Sequence, residues 1–87
     1  MAVLLVTYDL KKPSQNYSAF HNVIENYFHI KLSETSYAIY TDQPTSRIYR
    51  KLISSIDKND CLYIIPLTKP WSGYGPGRNK DWLVNFL

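Results

Sequence analysis

The sequence predicts an α+β sandwich of four strands and two helices with a short appendage, on three observations. Two near-continuous apolar runs, residues 2–8 and Cys61–Leu67, read as strands buried on both faces. Two other stretches repeat apolar residues at steps of three and four, the period of an amphipathic helix. Between those stretches the pattern changes to alternation, the period of a half-buried strand.

In chain order, Ala2-Val3-Leu4-Leu5-Val6-Thr7-Tyr8 is the first strand, broken by Asp9-Leu10-Lys11-Lys12-Pro13-Ser14. Pro13 cannot donate to a ladder, and Ser14 is an N-cap by residue type. Tyr17, Phe20, Ile24, Tyr27 and Phe28, with Val23 beside them, predict a helix over residues 15–28. Residues 29–41 then alternate, with Tyr37, Ile39 and Thr41 on one side and Ala38 and Tyr40 on the other. Polar Ser33-Glu34-Thr35 interrupts them, which reads either as a short strand, a tight irregular turn and a longer strand, or as one long bent strand. Asp42-Gln43-Pro44-Thr45 starts a second helix with Ile48, Tyr49, Leu52, Ile53 and Ile56 on its apolar face. Its other face carries Arg47, Arg50, Lys51, Ser54 and Lys58. Asp57-Lys58-Asn59-Asp60 closes that helix, and the last strand run is expected to stop at Pro66 and Pro70.

The order β-α-β-β-α-β over residues 1–67 is the split-βαβ, ferredoxin-like unit. Residues 68–87 are the appendage: a loop with Gly73, Gly75, Pro76 and Gly77, then a short helix opened by Asn79-Lys80-Asp81. Trp82, Leu83, Phe86 and Leu87 form its apolar face. A helix this short is marginal alone and must dock, on its own chain or on a partner.

Composition bounds the function. In 87 residues, 45% are apolar, 15% aromatic and 20% charged, which excludes a disordered tail and leaves one globular domain. Such a chain has a small core and often borrows stability from a staple. Cys61 is the sole cysteine, so no intrachain disulfide forms, and no Cys/His spacing suits zinc. Self-association is the staple that remains. Ten Lys and Arg against seven Asp and Glu give +3, compatible with nucleic acid without demanding it. Neither a signal peptide nor a membrane span is expected, so the expected setting is cytoplasmic with no membrane partner.

Several chemistries find no motif. Gly73-Tyr74-Gly75-Pro76-Gly77 lacks the spacing and the Lys-Ser/Thr ending of a phosphate-binding loop. There is no nucleophile elbow and no aromatic RNA-binding segment of the RRM type. His21 and His29, eight apart on the predicted helix, stand about 80° from eclipsed, too far round to share a metal.

Asp9 stands out as a carboxylate directly after a buried strand, at the sheet's edge. It reads as a turn residue, or as a metal ligand. One carboxylate is a poor Mg²⁺ site, but a two-fold axis beside it brings in a second Asp9, and the pair can hold the ion against a phosphodiester. Arg47, Arg50 and Lys51 read as phosphate contacts or as a solvated helix face. Arg78 and Lys80 read as an anion grip at the last helix, or that helix is simply capped by Asn79. Trp71 and Tyr74 read as base-stacking or as packed aromatics.

The strings Leu4-Leu5-Val6-Thr7-Tyr8-Asp9-Leu10 and Asp60-Cys61-Leu62-Tyr63-Ile64-Ile65-Pro66-Leu67 resemble the first and last core strands of the CRISPR-associated adaptation family Cas-Two. Thr35-Ser36-Tyr37 stands where that family has Ser-Val-Phe. The related toxin family VapD shares the fold, and the Gly-rich loop with Asp81-Trp82-Leu83 resembles the Cas-Two-like "SinR family" proteins. The resemblance implies a homodimer that exchanges its last strand or tail and a Mg²⁺-dependent nuclease centre for RNA or DNA at Asp9. In such a centre Ser36 or Thr35 is expected to hydrogen-bond a phosphate oxygen or a metal-bound water, while Lys11, Lys12, Arg47, Arg50, Lys51 and Arg78 are expected at nucleic acid on their charge alone. Some members are instead scaffolds for duplex DNA, so a catalytically silent nucleic-acid-binding or protein-partnered dimer is the alternative. Two departures stand out: Lys11-Lys12-Pro13-Ser14-Gln15-Asn16 replaces an Arg-rich stretch, and the family serine falls on Thr35 or Ser36 according to register.

Overall fold

A computed structural model describes residues 1–12 and 16–87. Its elements run β1 (Ala2–Asp9), α1 (Ser18–Glu25), β2 (Phe28–Ser33), β3 (Ser36–Thr41), α2 (Thr45–Ile53), β4 (Cys61–Leu67) and α3 (Gly77–Phe86). The four strands form one antiparallel sheet in the order β2-β3-β1-β4. That order is compatible with a ferredoxin-like α+β fold. Residues 29–41 therefore hold two strands, with Glu34 and Thr35 at the turn and a register irregularity between Lys31 and Ser33.

The register assigns every strand residue to a face. Leu4, Val6 and Tyr8 of β1 lie beside Ile39 and Tyr37 of β3 and face α1 and α2, where Phe20, Ile24, Ile48 and Leu52 complete the main core. Val3 and Ala38 face the other way and pack with Trp82 of α3, joined by Ile30, Tyr40, Leu67 and Phe86. Both faces of β1 are thus used, as its unbroken apolar run requires. The appendage helix docks on the sheet of its own chain. Trp82 is 8% exposed, and Phe28 stacks on it at 5.9 Å and meets Phe86 edge-on at 4.9 Å.

Six sequence expectations are corrected. The Cys61–Leu67 run is not buried on both faces: it is an edge strand whose Tyr63 and Ile65 stay exposed. The second helix ends at Ile53, short of Ile56 and of the Asp57-Lys58-Asn59-Asp60 cluster expected to close it. The first helix ends at Glu25 rather than at 28: Tyr27 closes a turn onto the Ile24 carbonyl, and Phe28 leaves the helical stripe to join β2 against α3. His29 is consequently a β2 residue and does not share a helix with His21. Pro66 lies inside β4, paired with Leu4, because β4 is an edge strand and edges tolerate a missing N–H. The last helix starts at Gly77, with Pro76 as N-cap, so Asn79 sits in its first turn and caps nothing. The proposed N-cap Ser14 lies outside the described residues; the Ser18 amide donates to Asn16 Oδ1 at 2.9 Å. No helix among the described residues is long and apolar enough to cross a membrane.

Candidate functional site at the end of β1

Asp9 closes β1 at the end of the sheet where β3 begins. Its odd register sets it on the α3 side of the sheet, with Leu5 and Thr7, and opposite Cys61 of β4. Ser36 pairs with Thr7, so Asp9, Thr7 and Ser36 share one face at one end of adjacent strands. The Ser36 hydroxyl is 2.7 Å from Ser33 Oγ, and Thr35 Oγ1 is 3.4 Å from the same atom. The Thr35 carbonyl accepts from the Tyr8 amide at 3.0 Å and from Thr7 Oγ1 at 3.5 Å. Of the two hydroxyls, Ser36 belongs to a strand and Thr35 to the turn.

Within the chain the Asp9 carboxylate is answered by Lys11, whose Nζ lies 2.6 Å from Oδ2, both side chains about half exposed. That hydrogen-bonded carboxylate holds the Lys11 ammonium above its ordinary pKa. Among the described residues no group of three or more His, Cys, Asp or Glu comes together. At the end of β1 the Asp9 carboxylate is thus already engaged by a lysine.

A second carboxylate, Asp60, organises the loops behind this end. Its oxygens accept from the Lys11 amide at 2.7 Å, the Asp57 amide at 2.8 Å and the Tyr17 hydroxyl at 2.9 Å. Desolvation pushes its pKa up, but the amide donors and the hydroxyl outweigh it and hold the carboxyl below the usual aspartate value. Lys12 adds an ion pair to Asp57 at 3.3 Å. Asp60 thus ties the segment after β1 to the segment before β4, and so fixes where Lys11 stands. Its only signal in the sequence is its place one residue before a strand.

The remaining basic candidates do not converge on Asp9. Arg47, Arg50 and Lys51 lie on α2, which covers the opposite face of the sheet. Lys51 is engaged: it donates to the Tyr27 hydroxyl at 2.8 Å, with its Nζ 5.1 Å from that ring's centroid. Arg47 and Arg50 are exposed, and neither side chain makes an ion pair among the described residues. Arg78 is exposed in the first turn of α3, on the Asp9 side of the sheet but beyond the Gly-rich loop.

Tyr8 precedes Asp9 in β1. It is core: 5% exposed on the α1 face, edge-on to Phe20 at 5.0 Å, its hydroxyl donating to the Glu34 carbonyl at 3.2 Å. Tyr37 beside it donates to Glu25 Oε2 at 2.7 Å and touches His21 and His29. Burial, helped by the Glu34 and Glu25 charges, pushes the Tyr8 hydroxyl up to about 12, and burial with the Glu25 bond pushes Tyr37 up as well. Burial and the Lys31 charge outweigh Glu25 and lower the His21 pKa. These groups are braced against one another under the sheet, away from Asp9.

The chain matches no protein-family profile, no curated protein and no solved structure.

Proposed function

We propose that this protein is a Cas-Two-like homodimer that engages nucleic acid, with Asp9 of both copies forming a Mg²⁺-dependent phosphodiesterase centre. One observation carries the reading: the carboxylate shares its sheet face with an apolar strip that α3 leaves uncovered. Tyr63 and Ile65 of β4 are 62% and 46% exposed, and the register aligns them with Thr7 and Leu5 of β1. Two such strips packed face to face bury apolar surface worth about 25 cal/mol per Å² and bring the two Asp9 residues to the rim of one interface. The donor set fits a cation only when doubled, because a single carboxylate is too few ligands for Mg²⁺. When bound, the ion supplies polarisation of a phosphodiester and activation of a water.

The chain's own residues do the rest. Asp9 serves as ligand and not as base. Lys11, paired with the Asp9 carboxylate, would be free to contact a phosphate oxygen if a cation were held there. Ser36, on the same face, or Thr35 from the turn, would hydrogen-bond a second phosphate oxygen or a water at the metal. Lys12, Arg47, Arg50 and Arg78 supply long-range attraction for the polyanion. The test is Mg²⁺-dependent cleavage of single-stranded RNA and duplex DNA by wild type and by Asp9→Asn. Cleavage abolished in the variant supports the centre; cleavage unchanged by the variant removes it.

A second reading is favoured by the Lys11–Asp9 ion pair itself: a carboxylate neutralised at 2.6 Å suits a catalytically silent binder. On that reading the same dimer retains nucleic acid with a steep salt dependence and cuts nothing.

A further inference from the structure

The sheet ends at β4, which no described segment of the chain pairs on its outer side, and the register shows which of its backbone groups are free. The Tyr8 amide donates to the Thr35 carbonyl at 3.0 Å, so the even-numbered residues of β1 bond toward β3 and the odd-numbered ones toward β4. Cys61, Tyr63, Ile65 and Leu67 answer those odd residues. Leu62 and Ile64 therefore turn their N–H and C=O groups outward, and Pro66, in the same phase, has no N–H to leave unpaired. Natural sheets blunt a free edge with charges or a bulge, yet Leu62-Tyr63-Ile64-Ile65 carries no charge and its pairing with β1 is unbroken.

The side chains of the same two residues lie on the α2 side of the sheet, packed against the main core. Beside them Tyr49 and Ile53 of α2 are 46% and 39% exposed, and Thr45, Ser46, Tyr49 and Ile64 line a shallow hollow of about 280 Å³. That is below the ~300 Å³ at which small-molecule sites begin, but it accommodates a side chain of a passing strand. We infer that the β4 edge takes up an extended, acidic segment of a partner protein, which pairs with Leu62 and Ile64 and lays alternate apolar side chains between α2 and β4. The inference goes beyond the Asp9 reading and does not rest on it.

Backbone and charge together choose this occupant. Directly paired residues of neighbouring strands share a face, so the partner residues bonded to Leu62 and Ile64 point to the α2 side, the second of them over the hollow. Outward backbone groups and hollow thus call for one strand with apolar residues at every second position. Charge then sets its sign. Helix α2 carries Arg47, Arg50 and Lys51 and no acid. Lys51 is turned to Tyr27, whereas Arg50, three residues from Ile53 and four from Ser46, borders the hollow and makes no ion pair among the described residues. A second copy suits the edge poorly, because β4 paired with β4 about a two-fold axis sets two basic α2 helices side by side. An acidic strand meets the same edge with attraction.

The test is heteronuclear NMR with amide hydrogen exchange on the full chain, with and without a capped heptapeptide that alternates Val and Glu. In the free chain the Leu62 and Ile64 amides are expected to exchange fast and those of Tyr63 and Ile65 slowly. With the peptide, the Leu62 and Ile64 amides slow about tenfold or more and their signals move. The counterpart with Lys in place of Glu binds about two- to fivefold more weakly, and a Pro at the peptide's centre, which removes an amide, abolishes binding. Arg50→Ala weakens the Glu peptide about two- to fivefold, and Tyr49→Ala about five- to thirtyfold. Both side chains lie at the surface, so both variants keep the circular dichroism of wild type. Leu62 and Ile64 amides left unprotected by the peptide, or equal affinity for the Lys counterpart, overturn the inference. So does octauridylate that moves the same amides as strongly, which gives the edge to nucleic acid, or protection that rises with protein concentration alone, which gives it to a second copy. Asp9→Asn leaves peptide binding unaltered, so failure here and failure of the metal centre are read separately.

Discussion

The Lys11 ammonium sits 2.6 Å from the Asp9 carboxylate, at the end of a strand whose neighbouring residues leave apolar surface uncovered. Any cation that Asp9 takes must displace that lysine. Lys11→Ala is therefore expected to tighten Mg²⁺ binding by up to about fivefold, the range of an exposed ion pair. Isothermal titration of wild type and variant checks it; Mg²⁺ binding weakened by the substitution would show that Lys11 is not the competitor.

The Asp60 tether predicts an acid-side loss of stability. Its carboxyl is held below the usual aspartate value in the folded chain, so its contribution is fully present above about pH 4 and is lost as pH falls through the folded value. In thermal unfolding the gap in Tm between wild type and Asp60→Asn closes as pH drops through that window. A gap that widens on acidification contradicts the assignment.

Alkali acts with the opposite sign. The Tyr8 hydroxyl stands at about 12 in the folded state against about 10 when unfolded, so its stabilising term is intact below pH 10 and is lost as pH climbs from 10 to 12. Of the eight tyrosines, Tyr8 and Tyr37 are expected to ionise last and together with unfolding, followed by phenolate absorbance and circular dichroism. Ionisation of all eight before any loss of fold contradicts the packing described for this pair.

Trp82 anchors α3, and its Nε1 has no hydrogen-bond partner among the described residues. Trp82→Ala is expected to cost about 3–5 kcal/mol, much of the ~0.05–0.15 kcal/mol per residue that holds a small domain. Trp82→Phe keeps most of the apolar contact and removes the unpaired N–H, so its cost in chemical denaturation is expected to be well below that of the alanine variant. Equal losses for the two variants contradict the role given to the ring.

Much of the fold was legible because periodicity reports which face a residue buries. The β1 run and the α2 stripe through Ile48 and Leu52 appear at their expected places, and β4 forms where the second apolar run lies but keeps one face exposed. Periodicity failed where one residue satisfied two patterns. Phe28 continues the helical stripe of Tyr17, Phe20, Ile24 and Tyr27, yet Trp82 and Phe86, more than fifty positions away, draw it into β2. The site was legible only in part, for the same reason. Asp9 and Ser36 share a sheet face because the β1–β3 register pairs Ser36 with Thr7, and neither that register nor the convergence of three donors on Asp60 from separate segments is connected by any spacing in the sequence. Asn79 looked like a cap because its residue type favours caps, and the helix started two residues earlier, behind Pro76.

The most direct measurement is the solution mass by sedimentation equilibrium across a concentration series, on wild type and on Tyr63→Glu with Ile65→Glu. Wild type at twice the mass of one chain and the double variant at the mass of one chain, still folded by circular dichroism, are expected. Wild type sedimenting as a single copy at the concentrations where nucleic acid is bound or cut contradicts the shared Asp9 centre.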